Sequence, residues 1–225
     1  MYKNLEILDK QKHKDIKFDN QDSIEIAKKI GFVPVGVAEI LDMSCFAPVI
    51  ITADDKAEFA AFTGISEEVN IYSKEAYVPR FVKSYPFLNV TAKDENDNLN
   101  EVIGIDNADF TGEDKEVSIF NEDGELNEIA NEKIENVREL NRQRAISKRI
   151  IEQLKENDLL LKRDFKVKVN DEERTLLNEF YIVDREKLLK LDDETIASWA
   201  RKGWMSLIDA HIKSLGNFKK ALKLS

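Results

Sequence analysis

Residues 125–157, ELNEIANEKIENVRELNRQRAISKRIIEQLKEN, contain no glycine or proline and are rich in strong helix formers. Leu126, Ile129, Ala130, Ile134, Val137 and Leu140 fall on one face, and Ile146, Ile150, Ile151 and Leu154 resume it. That spacing predicts one long amphipathic helix from about 125 to 157. Between the two runs lies Asn141-Arg142-Gln143-Arg144. A polar interruption of this kind reads as a solvated face with a shift in the apolar stripe. A sharper reading has Asn141 or Arg144 hydrogen-bonding a buried loop or a ligand.

Ahead of that helix the chain reads as short strands. Leu5 and Ile7, then Ile16 and Phe18, alternate with polar residues around a charged turn that carries His13. Residues 23–30 fit a helix or a strand, and 36–44 fit a short amphipathic helix. Ala47 to Thr52 is apolar and β-branched, so a buried strand entered at Pro48, with Glu58 to Thr63 as its hairpin partner. A further strand is expected around Val69 to Tyr72. Phe87 to Ala92 and Leu99 to Ile105 flank the polar turn 93–98, and Val117 to Phe120 forms another strand. Asp94, Asn96 and Asn98 have the spacing of a calcium loop. Leu99 takes the place of its glycine and Ile105 that of its last acidic ligand, so a hairpin turn is expected.

Beyond the helix, Leu159 to Val169 and Arg174 to Val183 flank Asn170-Asp171 as a β-hairpin. Asp184 caps residues 185–190, Asp192-Asp193-Glu194 opens a helix to Lys202, and Trp204 to Leu222 is a last amphipathic helix. Strands, then a long helix, then a hairpin and C-terminal helices make an α+β fold. A length of 225 residues suits a single domain over 1–225, with a sub-boundary near 124 as the alternative.

Tyr77-Val78-Pro79-Arg80-Phe81-Val82-Lys83-Ser84-Tyr85-Pro86-Phe87 is the other informative stretch, holding half of the chain's four prolines. Between them there is room for about two helical turns. The residue before each proline is pushed out of the helical region, which predicts a short pinned helix entering a strand.

A net charge of −10 and a pI near 4.9 argue against nucleic acid and anionic membrane, which are bound through clustered Lys and Arg. Cys45 is the single cysteine, so no intramolecular disulfide and no zinc knuckle form, and its apolar surroundings predict a small buried hydrophobe. No run of 18 apolar residues and no Sec-type leader is present. A soluble cytoplasmic protein is expected, with export by a route that needs no such leader left open.

His211 falls on the apolar face of the last helix and reads as a core histidine. His13 reads as a loop anchor, with a functional base as the alternative. Two histidines give no metal spacing, and there is neither a GxGxxG nor a Walker A loop, so no cofactor and no metal are expected. The candidate ligand- or partner-binding residues are His13, Tyr77, Arg80, Tyr85, Asp106, Asn141 and Arg144.

Several segments, taken in order, resemble one known family. They include the N-terminal segment ending at His13; Phe32-Val33-Pro34-Val35 with Glu39; Ala47-Pro48-Val49-Ile50; and Tyr77-Val78-Pro79-Arg80 followed by Tyr85-Pro86-Phe87. They continue with Ile105-Asp106, Phe120 with Asp123-Gly124, Asn141-Arg142, Phe180-Tyr181-Ile182-Val183-Asp184, and Ala210 to Asn217. Over nearly its whole length the chain resembles the SapC family, named for a protein associated with bacterial surface layers. Ala76 departs from the glycine usual there. The resemblance implies a context, surface-layer synthesis or export or other envelope transport, and no catalytic mechanism. The first expectation is a non-catalytic cytoplasmic accessory protein that binds a protein partner of that apparatus. The others are a small-ligand binder or enzyme with a pocket of Tyr77, Arg80, Tyr85, His13 and Asp106, and a surface-layer component itself.

Overall fold

Helix-forming side chains without a breaker run on until the Asn157-Asp158 turn, and the long helix ends there in the computed structural model. The structure describes residues 2–54, 57–73, 76–94, 96–108, 111–169 and 172–221. In chain order the elements are β1 (Leu5–Ile7), β2 (Lys17–Phe18), α1 (Ser23–Lys28), β3 (Phe32–Pro34), α2 (Ile40–Ser44), β4 (Val49–Thr52), β5 (Phe59–Phe62) and α3 (Arg80–Lys83). There follow β6 (Phe87–Lys93), β7 (Leu99–Asp106), β8 (Thr111–Gly112), β9 (Val117–Ser118), α4 (Glu128–Glu156), β10 (Leu160–Val169) and β11 (Glu172–Val183). The chain closes with α5 (Arg185–Leu188), α6 (Asp193–Arg201), α7 (Trp204–Ser214) and α8 (Phe218–Ala221). The described strand pairs are antiparallel, and the fold is α+β.

Two compact units divide the chain, each assembled from two stretches, with crossings at Ala27/Lys28, at Pro79/Arg80 and, inside α4, at Arg142/Gln143. The first comprises Met1–Ala27 and Arg80–Arg142. It holds a sheet of order β1-β7-β6 and a smaller one of order β8-β2-β9. Phe18, Phe87, Ile105 and Ile119 form its core with Ala130, Ile134 and Val137 of α4. The Phe18 and Phe87 rings meet edge to face at 5.5 Å, the arrangement that aromatic quadrupoles favour.

The second unit comprises Lys28–Pro79 and Gln143–Ser225, around a sheet of order β10-β11-β4-β5-β3. β4 is interior to that sheet, which its unbroken Val-Ile-Ile run requires, and Val49, Ile50 and Ile51 are all buried. Ile150, Ile151 and Leu154 of α4 join Trp199, Ile208 and Ala210 in the same core. The Trp199 and Trp204 rings lie 6.0 Å apart, and Trp199 is buried.

Several local expectations resolve differently. Residues 23–30 settle as α1, and 36–44 splits into a 3-10 turn, Val37–Glu39, followed by α2. The strand expected near 69–72 is instead a 3-10 turn, Ile71–Ser73, because the Asn70 side chain accepts the Tyr72 N–H and diverts the backbone. The Asn170-Asp171 turn lies outside the described residues. Cys45 is exposed, not buried: it follows the last turn of α2 on the solvent side, with its thiol 3.6 Å from the Leu41 carbonyl. Of its apolar neighbours, Met43 and Ala47 face the core, whereas Leu41 and Phe46 are exposed with it.

The stripe along α4 does not shift. Gln143 and Ser147 are buried and keep it in phase between Leu140 and Ile150. Gln143 Oε1 accepts the Ala38 N–H at 3.2 Å and lies so close to Gly36 that a Cβ there would sit 1.9 Å from it. Any side chain at 36 would have to displace the Gln143 amide from the Ala38 N–H. The 94–98 turn closes on itself, with the Asp94 carboxylate accepting the Asn96 and Asn98 N–H groups. Those backbone bonds hold the Asp94 carboxyl below its ordinary pKa.

Candidate functional site

Asp106 ends β7 and is fully buried in the first unit. Its Oδ1 accepts the Asn4 N–H at 2.8 Å, and its Oδ2 accepts the Lys3 N–H at 3.1 Å and the Tyr85 hydroxyl at 2.9 Å. Tyr2 packs against Phe81 and Tyr85, and its hydroxyl donates to the Phe87 carbonyl at 3.1 Å. Tyr85 and Asp106 are thus joined by a hydrogen bond, and with Tyr2 they fasten the N-terminal segment so that β1 can pair with β7. The Tyr77–Phe87 stretch forms the short helix α3 and then β6, with a cis Tyr85-Pro86 peptide bond.

Arg80 donates to Asn136 Oδ1 of α4 at 2.8 Å, and the Asn136 amide donates in turn to the Glu132 carbonyl at 3.2 Å. Arg80→Ala leaves a buried carbonyl oxygen without its charged donor. The expected loss is about 1–2 kcal/mol of unfolding free energy, read by urea titration. A loss below about 0.5 kcal/mol would show that the bond contributes nothing.

His13 is buried beneath its own loop. Nδ1 lies 3.0 Å from the Asp9 nitrogen and 2.8 Å from its carbonyl oxygen, and Nε2 lies 3.0 Å from Glu6 Oε1. Glu6 also pairs with Lys12. Burial raises the Glu6 carboxyl, but hydrogen bonds and charge from Lys12 and His13 outweigh it and hold the group below the ordinary carboxylate range. The histidine acts as a loop anchor.

Of the remaining candidates, Asn141 donates to Glu101 of β7 at 3.0 Å, an exposed contact in the first unit. In the second unit Arg144 pairs with Glu58 at 2.9 Å, and the Tyr77 hydroxyl donates to Glu39 Oε1 at 2.9 Å. Glu39 is buried, and its Oε2 accepts the Gly36 N–H at 3.1 Å. Tyr72 is buried in the same unit, and its hydroxyl has no hydrogen-bond partner among the described residues. Burial and then the charges of Glu39 and Tyr77 push its pKa up.

Sequence reasoning missed Lys133. It is buried in the first unit, with its ammonium 3.4 Å from the Lys83 carbonyl and 6.0 Å from the Phe18 ring centroid. Burial lowers its pKa, with Glu132 opposing. The signal was its place between Ala130 and Ile134 at the edge of the apolar stripe, where a lysine stem also packs.

A surface of a different kind lies on the outside of the β1-β7-β6 sheet. Pairing sets Ile7 and Leu88 opposite Gly104, and Val90 opposite Val102. The intervening residues Phe87, Ile103 and Ile105 point to the core, as strand alternation demands. Leu5 and Ile7 remain 48% and 49% exposed, and Leu88, Val90 and Val102 are half-buried. The sheet is therefore apolar on both faces, one of them partly open.

The family model SapC matches residues 8–220. The chain belongs to the SapC family. No curated protein and no solved structure matches it. Phe120, Asp123 and Gly124, within the span of the SapC match, lie in a turn of the first unit closed by the Phe120–Leu126 bridge. No helix among the described residues is long and apolar enough to cross a membrane, and no cluster of His, Cys, Asp and Glu among them could hold a metal ion.

Proposed function

We propose that this SapC-family chain is a non-catalytic accessory protein that binds a protein partner in the export or assembly of a bacterial surface layer, from the cytoplasmic side. The observation that carries the proposal is the open apolar face of β1, β6 and β7. Completing the burial of Leu5 and Ile7 would contribute about 1 kcal/mol each at roughly 25 cal/mol per Å². A face of this kind marks an interaction surface. With a net charge of −10, anionic lipid is repelled, and so is a second copy carrying the same charge. A neutral or basic protein surface with an apolar centre fits best. His13, Tyr77, Arg80, Tyr85 and Asp106 each make at least one side-chain hydrogen bond within the chain, which favours binding through surface over chemistry through those side chains.

The test is affinity purification of the tagged chain from its native host with crosslinking, run beside a Leu5→Ser/Ile7→Ser variant. An export or surface-layer component recovered with the natural chain and reduced at least tenfold with the variant is the expected result. Equal recovery with both chains would overturn docking on this face. A concentration-dependent dimer abolished by the same variant would reassign the face to a second copy.

A further inference from the structure

A cleft of about 430 Å³ opens in the first unit between the loop around Lys10 and the turn of residues 120–124. That volume lies within the range of small-ligand sites. We propose that this cleft binds a short peptide segment bearing both a carboxylate and a cationic side chain, with the carboxylate on the Lys10 ammonium.

Both walls are held by bonds in which Lys10, Gln11, Glu122 and Asp123 take no part. On one side the Lys12 N–H donates to Asp9 Oδ1 at 2.7 Å, the Ile16 N–H to the His13 carbonyl at 3.1 Å, and the buried His13 ring ties the loop to Asp9 and Glu6. On the other, the Asn121 N–H donates to the Glu125 carbonyl at 2.8 Å, the Glu125 N–H to Asn121 Oδ1 at 2.9 Å, and the Gly124 N–H to the Asn121 carbonyl at 3.0 Å. Gly124 has φ +74°, and a Cβ on it would lie 2.6 Å from Lys10 Cε and 2.9 Å from its Nζ. The lysine stem thus lies across the turn because glycine leaves room for it.

Lys10, Gln11, Glu122 and Asp123 all line the cleft, and none makes a hydrogen bond or ion pair with another described residue. All four are exposed and hydrated, and the loops that carry them are held by the bonds above, so an occupant replaces water on them with little ordering of the frame. The charges are mixed: Lys10 and Lys14 against Asp15, Glu122 and Asp123, with Lys14 and Asp15 3.8 Å apart. A purely anionic ligand meets the carboxylates, and a purely cationic one meets the lysines. A segment carrying both signs satisfies each side, with the Gln11 and Asn121 amides for its backbone and Phe120 for apolar contact.

This proposal goes beyond docking on the sheet face and does not depend on it. The full chain is titrated by fluorescence polarisation against labelled synthetic peptides in acidic, basic and mixed-charge sets. Mixed-charge peptides are expected to bind tightest, to weaken as salt rises from roughly 0.05 to 0.5 M, and to lose at least tenfold with Lys10→Glu. Lys10 is exposed, so that variant retains its fold, as a thermal melt will confirm. The Leu5→Ser/Ile7→Ser variant keeps peptide binding while losing the partner, which separates the two proposals. Equal binding of the three peptide sets, or unchanged binding by Lys10→Glu, would overturn the cleft.

Discussion

Asp106→Ala lowers the stability of the first unit by about 3–5 kcal/mol. Its carboxylate is the common acceptor for the Lys3 and Asn4 N–H groups and the Tyr85 hydroxyl, and hydrogen bonds to a charged group contribute roughly 1.5–3 kcal/mol each. Water reaches the partly buried Lys3 and Asn4 groups in the variant and offsets part of the sum. The Tyr85 hydroxyl is buried and loses a charged acceptor. For a chain of this length about 2–4 °C of melting temperature accompanies each kcal/mol, so a fall of about 10 °C is expected. Asp106→Asn keeps one acceptor oxygen and loses roughly half as much. Urea unfolding measures both, and hydrogen exchange at Asn4 reports the release of β1. A loss under 1 kcal/mol for the alanine variant would show that strand pairing alone holds the N-terminal segment.

Acidification destabilises the second unit through His211. The ring is fully buried, and its Nε2 accepts the Val183 N–H at 3.1 Å, which only a neutral imidazole can do. Burial lowers its pKa from 6.5 to about 4, against a smaller opposing effect from the Val49 backbone. Below pH 6.5 the unfolded chain takes up the proton and the folded chain does not, so stability falls as pH falls through this window. The contribution is fully present above pH 6.5, declines by about 1.4 kcal/mol per pH unit, and has lost about 3 kcal/mol by pH 4. Glu6, Asp94 and Asp192 have lowered pKa values and also favour the folded state less in acid. They are common to the natural chain and a His211→Gln variant, so the difference between the two pH profiles isolates the histidine. The variant is less stable at pH 7 and has the flatter profile from 6.5 to 4. Parallel profiles would refute the assignment.

Much of the secondary structure was legible from spacing. The long helix, the 160–183 hairpin, the 87–106 hairpin and the Asp184 and Asp192 caps each depend on residues within a few positions of one another. The candidate site was legible only as residue types. Tyr85 and Asp106 did meet, but Arg80 joined Asn136, and Tyr77 joined Glu39, a residue not weighed as its partner. Cys45 was misplaced because an apolar neighbourhood in sequence is not a buried one: Leu41 and Phe46 beside it are exposed too.

By itself, the sequence determined the α+β order of elements, the membership in the SapC family and much of the core face of α4, although Ile146, read as part of that face, is exposed. Periodicity within one element is imposed by local backbone geometry, and the side chains display it directly. Only the tertiary structure decided that a carboxylate at 106 would gather N–H groups at 3 and 4, that Gln143 would lie against Gly36, and that one face of the β1-β7-β6 sheet would stay partly open. Those outcomes depend on pairing register and chain crossing between residues up to a hundred or so positions apart. No local pattern encodes which donor will reach which acceptor across that distance.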